Sequence, residues 1–326
     1  MVVNELVRDI VPSEFEGTTV TFINMPLRES ALPNTPPEGP LILAAILRNF
    51  GAETHIIDLN AYRIKDETAM QRNLPNGRHL TYNEAEQMFL KHLHNVGDQD
   101  IVAFSGKITT LRWQEEMAKI VRRHQPEAFL VSGNGLATEI RMGLFNWIPE
   151  LDAIARSEGD DAILIIAKDA KLIKEKGRNG AINSGQLSPF YKGEISGRHR
   201  FMYEGNRPSN LDMLPYGALD LLESDPYGYN VLEDYINVPV WGIAANNSSA
   251  TPFTMKRSLT TVSSRGCPYA CAFCYRGAQG ERNYGMRSPE HIAKQIKAIL
   301  SKHSNARPGI DFITKNTIRY PKTLQR

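Results

Sequence analysis

The chain has 326 residues, three cysteines and a formal net charge of +2 at pH 7, with both signs mixed along its length. That balance gives no footing for a nucleic-acid polyanion, and no run of 18 apolar residues offers a membrane span. Residues 1–12 lack a basic segment followed by an apolar one, so no secretory leader is expected, and three reduced cysteines fit the cytoplasm. Residues 18–25 (TTVTFINM) read as a buried strand, because β-branched residues dominate. A proline-rich loop, 26–37, leads to a helix over 41–50 that Gly51 stops. A second strand is expected over 53–59, an amphipathic helix over 81–96, a third strand over 100–104 and a helix over 111–124. A fourth strand (128–131), a helix (138–147), a fifth strand (151–155) and a helix (160–174) follow.

Strands alternating with helices imply a parallel sheet covered on both faces. Five such units predict an α/β, doubly wound, five-stranded sheet of order 2-1-3-4-5, in the manner of Rossmann and flavodoxin-like folds. Ligands of such sheets bind at the carboxyl ends of the strands. The loops expected there are 26–30 (PLRES), 105–110 (SGKITT), 132–135 (SGNG) and 156–160 (RSEGD). Their small and polar residues would let a large ligand approach the backbone. The same residues also serve as ordinary helix caps, and both readings stand. None of these loops contains a histidine; His55 falls inside the second strand.

Residues 176–188 read as loop, 191–210 as a short hairpin, and 211–229 as a connector rich in Pro, Gly and aromatics. A strand over 259–264 delivers the stretch Arg265-Gly-Cys-Pro-Tyr-Ala-Cys-Ala-Phe-Cys-Tyr275. It holds Cys267, Cys271 and Cys274, all the cysteines of the chain, in a C-x3-C-x2-C spacing. Three thiolates within eight residues can close around one soft metal centre. A structural zinc would want a fourth ligand, and a disulfide would strand the third cysteine. Ser288 and Pro289 mark the start of a helix that runs to residue 300, and 310–313 is a further strand.

The cysteine spacing, with Phe273 before the third cysteine, resembles the radical S-adenosylmethionine (radical SAM) superfamily. An α/β domain, a connector and then this motif is the layout of its cobalamin-binding members. Asn24-Met-Pro26, Phe104-Ser-Gly106 with Thr109 and Thr110, Ser132-Gly-Asn134, Glu158-Gly159 and Leu211-Asp-Met-Leu-Pro215 are similar to that family too. The resemblance covers residues 15–315. It implies a 4Fe–4S cluster on Cys267, Cys271 and Cys274, whose open iron chelates the amino and carboxylate groups of S-adenosylmethionine. Phe273 and Tyr275 would line the adenosyl site. Ser105, Thr109, Thr110, Ser132, Gly133, Asn134, Glu158 and Gly159 would contact cobalamin. Many cobalamin proteins carry a D-x-H-x-x-G loop after the first strand; here that loop has no histidine, so no imidazole is expected from it on cobalt.

The chemistry implied is reductive cleavage of S-adenosylmethionine to a 5′-deoxyadenosyl radical, which takes hydrogen from substrate. Cobalamin then carries a methyl group or assists a rearrangement. A flavodoxin or ferredoxin would supply electrons, and the substrate is a small molecule or a peptide. The expected domains are 1–175 (cobalamin-binding-like), 176–255 (connector) and 256–326, the first β/α units of a TIM-like partial barrel. Residues 1–175 are expected to fold alone. The residues after Cys274 suffice for one helix and one strand, whereas each βαβ unit takes about 30 residues. A C-terminally truncated chain is therefore expected. The rival readings are a non-catalytic cobalamin or nucleotide carrier with a vestigial cluster loop, and a zinc-binding interaction module.

Overall fold

The computed structural model describes residues 3–26, 35–62, 80–237, 257–269, 271, 284–302 and 310–314. The chain divides into two compact units. Unit one takes Met1–Pro33, Gly39–Arg207 and Gly217–Asp234; unit two takes Asn34–Glu38, Pro208–Tyr216 and Tyr235–Arg326.

Unit one is built on a seven-stranded sheet of order β2-β1-β3-β4-β5-β7-β6. Its strands are β1 (Thr19–Asn24), β2 (Glu53–Asp58), β3 (Ile101–Ser105), β4 (Phe129–Gly133), β5 (Ala153–Ser157), β6 (Tyr191–Ile195) and β7 (Arg198–Gly205). All neighbours pair in parallel except β6 with β7. Strands β1, β3 and β4 are buried over four successive residues each, as strands covered on both faces must be. Helix α1 (Val3–Val7) precedes β1. The crossovers carry α2 (Glu38–Arg48), α3 (Tyr82–Val96), α4 (Leu111–His124), α5 (Asn134–Ile140), α6 (Leu144–Trp147) and α7 (Ala162–Asn183). One core cluster joins Ile23, Met25, Phe104, Leu130 and Ile154 of the sheet to Met88, Phe89, Met117, Val121 and Leu136 of the helices. Thr81 caps α3 in a reciprocal box with Glu84, which satisfies two otherwise orphaned donors.

The first five strands stand in the expected order, but the sheet has seven strands rather than five. The hairpin expected over 191–210 forms and then pairs β7 alongside β5, with Ala153 opposite Phe201 and Ser157 opposite Gly205. The physical reason is burial: Phe201 and Tyr203 are each at most 1% exposed on that edge. The loop expected at 176–188 is mostly helix instead. Helix α7 runs on to Asn183, and Gly177 absorbs a kink at φ 69°, ψ 161°. The boundary expected at 175 therefore falls inside a helix. The helix expected over 138–147 starts earlier, at Asn134, directly after β4. The segment Gly217–Asp234 joins the rest of unit one through Ala218 N, which donates to Leu41 O, and Asp220, which pairs with Arg48 at 2.7 Å.

Unit two contains a parallel pair, β8 (Arg257–Thr261) with β11 (Ile310–Thr314), connected through helix α9 (Pro289–Lys302). It is one βαβ unit, and Gln295 on α9 donates to Thr261 on β8 at 2.8 Å. A second pair, β9 (Ser264–Gly266) with β10 (Tyr284–Met286), is antiparallel. The short β10 was not expected from the sequence. Ser288 caps α9 as expected, accepting from His291 N at 3.1 Å. Helix α8 (Val231–Asn237) lies on the connector, and no described helix is long and apolar enough to cross a membrane.

Candidate functional site

In unit one the carboxyl ends of β1 to β5 carry the loops that the sequence singled out. Strand β1 ends at Asn24, whose side chain donates to Asp58 at the end of β2 (2.8 Å). After β3 the chain turns through Gly106, and exposed Lys107, Ile108 and Thr109 follow. Thr110 and Ser132 are fully buried. Ser132 Oγ donates to Gln114 Oε1 at 2.6 Å, Gln114 Nε2 donates to Thr110 Oγ1 at 3.2 Å, and Thr110 Oγ1 donates to Lys107 O at 2.8 Å. This chain of bonds ties the ends of β3 and β4 to α4. Gly106 is required by it, because a Cβ there would lie 2.2 Å from Thr110 Oγ1 and 2.5 Å from Gln114 Nε2. The sequence gives no sign of Gln114's role, because it sits on the inward face of an amphipathic helix.

A second chain of bonds crosses the ends of β3, β4 and β5. Exposed Asn134 donates from Nδ2 to Ser105 Oγ at 3.2 Å. Thr138 Oγ1 donates to Asn134 O at 3.0 Å and accepts from Ser157 N at 3.1 Å. Asn134 and Ser157 both have left-handed backbones, at φ 71° and φ 64°. Two non-glycine residues in that region on adjacent strand ends store strain of about 1–3 kcal/mol each, which the surrounding bonds hold in place. Gly133 has ordinary extended backbone, and an added Cβ would find nothing closer than 3.8 Å. Gly159 is tighter: a Cβ added there would meet Leu43 at 3.2 Å.

Glu158 receives both Nε and Nη2 of Arg207 at 3.3 Å. Gly205 packs so closely on the Glu158 carbonyl that no side chain fits there. Strand β7 thus props the loop after β5, a support that depends on where the hairpin docks. Beside it, burial and then the neighbouring charge of Asp160 push the Asp161 carboxyl up to about 6. None of these strand ends carries an imidazole. His55 lies within β2, against the ring of His92 at 5.2 Å and bonded to Glu53 at 3.1 Å.

In unit two the β9–β10 ladder runs Ser264 to Met286, Arg265 to Gly285 and Gly266 to Tyr284. The segment 267–283 therefore starts and ends on this ladder, and it contains all three cysteines. Gly266 takes φ 88° immediately before Cys267, a conformation favouring glycine. Cys267 is half-buried and Cys271 exposed, both as free thiols. Cys274, Phe273 and Tyr275 lie outside the described residues. Among the described residues no three His, Cys, Asp or Glu side chains gather as a metal site. Cys267 follows the ladder directly, and both described thiols are accessible, a chemistry that suits a soft, thiolate-bound centre.

No family model matches the chain. An uncharacterized methyltransferase of Pyrococcus horikoshii is 24% identical over 222 residues, 68% of this chain and 40% of the relative. An anaerobic magnesium-protoporphyrin IX monomethyl ester cyclase of Rubrivivax gelatinosus is 23% identical over 206 residues, 63% of this chain and 32% of the relative. Among solved structures, the cobalamin-dependent S-adenosylmethionine radical enzyme OxsB, with aqua-cobalamin and S-adenosylmethionine bound, matches with a TM-score of 0.60 at 20% identity. That match covers 91% of this chain and 34% of OxsB. The radical S-adenosylmethionine methyltransferase TsrM of Kitasatospora setae matches with a TM-score of 0.52 at 15% identity, over 87% of this chain and 46% of TsrM. The structural neighbours are thus cobalamin-dependent radical SAM enzymes, and the chain shares their fold. It spans less than half the length of each of these proteins.

Proposed function

We propose that this chain is the cobalamin-binding and cluster-bearing part of a radical SAM enzyme that transfers a methyl group or drives a rearrangement or cyclisation. The observation that carries this reading is the ladder of β9 and β10, which closes one segment holding all three cysteines. The fold shared with OxsB and TsrM supports it. Cys267, Cys271 and Cys274 would hold a 4Fe–4S cluster, with Phe273 and Tyr275 beside the adenosyl group. A cluster held there would supply the one-electron reduction that cleaves S-adenosylmethionine. A reduced flavodoxin or ferredoxin would provide that electron. The βαβ unit of β8, α9 and β11 would open the partial barrel.

The strand ends of unit one fit cobalamin by their chemistry: an amide-rich ligand meets exposed amide, hydroxyl and backbone groups. Asn134, Thr109 and Ser105 would face it. Thr110 and Ser132 act through Gln114, which fixes the edge on which the ligand rests. Gly133 and Gly159 let the ring approach the backbone, and Glu158 is held for contact by Arg207. When bound, cobalamin supplies a transferable methyl group or assists the rearrangement. With no imidazole on these loops, cob(II)alamin bound here should show no nitrogen hyperfine splitting from the protein. The substrate is a small molecule or a peptide.

The test is anaerobic reconstitution with iron, sulfide and cobalamin, followed by gel filtration and spectroscopy. Four irons per chain, with an electron paramagnetic resonance signal that changes on adding S-adenosylmethionine, supports the cluster. Gly133→Trp should abolish bound cobalamin while leaving that iron in place. Cobalamin bound as well by Gly133→Trp as by the parent removes the strand-four loop from the site. Cobalamin without iron favours the carrier reading, for which the complete seven-stranded sheet of unit one is sufficient.

A further inference from the structure

Three separate stretches of unit two meet at the base of the cysteine segment. Where β8 passes into β9, Val262 N donates to Glu38 Oε1 at 2.8 Å. Where β10 passes into α9, Arg287 N donates to Ser263 O at 2.9 Å, so the two ends of the segment are joined beyond the ladder itself. The Arg287 side chain is only 5% exposed. Its guanidinium donates to His291 Nε2 and, at 3.3 Å, to Pro215 O. Asp212 Oδ1 accepts from Ser288 N at 2.8 Å. The Tyr216 ring stands edge-on to His291, centroids 4.7 Å apart, and its hydroxyl donates to His291 O at 3.3 Å.

A three-pair ladder is short, and two strands alone are marginal in water. Burying a guanidinium is costly without good partners, so a buried arginine spanning a connector carbonyl and a histidine signals a constraint on geometry. We infer that Arg287 and Asp212 are positioning residues: with Pro215 and Tyr216 they form a clip from the connector that fixes the returning strand β10 and so sets where the cysteine segment closes. The cluster consequence rests on the function proposed above; the clip itself does not. Residues 211–216, which resembled the family only as a sequence pattern, thereby acquire a mechanical role. Asp212 works through its acceptor oxygens: the Ser288 hydroxyl first, and the Ser288 backbone N–H second, lower the pKa of its carboxyl.

The test uses the full chain as Asp212→Ala, Asp212→Asn, Arg287→Ala and Arg287→Lys. The first readout is amide hydrogen exchange without iron. Asp212→Ala and Arg287→Ala should speed exchange at 264–266 and 284–288 by about tenfold, the effect expected of one lost charge-assisted bond, with β1 to β5 unchanged. Asp212→Asn keeps an acceptor and should retain the parent's protection. Arg287→Lys, with a single ammonium in place of a planar fork, should rescue only in part. The second readout is iron after anaerobic reconstitution, which should fall at least twofold in the two alanine variants and recover in Asp212→Asn. Unchanged exchange at the ladder, or faster exchange spread over the whole of unit one, overturns the clip. Faster ladder exchange with a full complement of iron overturns its positioning role. A parent chain that takes up no iron sinks the cluster reading alone, and exchange then decides the clip.

Discussion

The carboxyl edge of the unit-one sheet and the cysteine segment of unit two are built on opposite plans. At the sheet edge the polar groups find their partners within the protein: Ser132 with Gln114, Gln114 with Thr110, Thr138 with Ser157, Glu158 with Arg207. These bonds hold the side chains of the edge without a ligand, so the cobalamin binding proposed above should cost little ordering. The cysteine segment instead leaves a three-pair ladder with a glycine at φ 88° and places one thiol half-buried and one exposed. Its ends are fixed by the ladder, and under the function proposed above the bound cluster would supply the rest of its ordering. On the proposed function, the first site would be preformed and the second completed by its occupant.

The largest effect should come from breaking the second plan. Cys271→Ala removes one of three thiolates from a set with no described substitute. Reconstituted protein should lose its bound iron and the broad visible absorbance at about 400 nm that thiolate-ligated iron–sulfur centres give. The urea midpoint of unit one should not move, since the substitution removes no side chain of that unit. Full retention of iron in this variant would falsify the ligand assignment.

The next test asks where the rigid region ends. A chain stopped at 175 discards β6, β7 and the last turns of α7. It exposes the edge of β5 and loses Phe201 and Tyr203, and large core side chains are worth about 3–5 kcal/mol each when deleted. Asp152, almost wholly buried, also loses Arg178, leaving Arg122 as its near partner. That total rivals the ~5–15 kcal/mol of a whole domain. We propose that residues 1–237 unfold cooperatively by circular dichroism and that residues 1–175 do not. A cooperative transition in the shorter fragment puts the domain boundary back at 175.

How far these two plans were legible from the sequence depended on how local each signal was. Strands β1, β3 and β4 announce themselves because both faces are buried and their runs are rich in apolar and β-branched residues. The cysteines announce themselves by spacing. The joining of β7 to β5 is not local: Ala153–Ser157 reads as an edge until Phe201 and Tyr203 are seen to cover it. Helix α5 starts at Asn134, yet Ser132-Gly-Asn-Gly135 reads as loop, because nothing in the pattern shows a left-handed asparagine opening a helix. Gln114 was hidden for the same reason. A glutamine on a helix is usually solvated, and only the Ser132 and Thr110 hydroxyls show that this one is not. Strand β10 is three residues long with a central glycine, too short for any periodicity.

The preformed edge can be loosened directly at Gly106. A Cβ there collides with the Thr110 hydroxyl and the Gln114 amide, both inside the buried chain of bonds. Gly106→Ala should destabilise unit one by about 3 kcal/mol, combining overpacking with at least one broken buried bond. Urea denaturation of the apo chain measures it. Iron uptake at the cysteines should be unaffected. A loss below about 1 kcal/mol would mean that the Gln114 amide swings away freely and the edge is less rigid than its bonds imply.

The smallest expected effect is a pH dependence that belongs to unit one alone. His92 on α3 is buried against β1, with Nε2 2.7 Å from Thr21 Oγ1. Thr21 donates its own proton to Gln99 Oε1 at 2.7 Å, so His92 Nε2 must be the donor to Thr21. Burial first, and the neighbouring His55 second, lower the His92 pKa to about 4. An unfolded histidine titrates near ~6.5. Above that value His92 is neutral in both states and contributes no pH dependence. Between about 6.5 and 4 the unfolded chain takes up a proton that the folded chain refuses, so stability falls as pH falls; below about 4 the loss levels off. The loss should reach about 2 kcal/mol at pH 5. His92→Gln keeps a donor for Thr21 and removes the titration, so its stability should fall less between pH 7 and pH 5 by that amount. His55, whose pKa burial also lowers, remains in the variant and supplies a residual slope. Identical slopes for parent and variant in urea denaturation at the two pH values would show that His92 is solvated rather than locked behind the sheet.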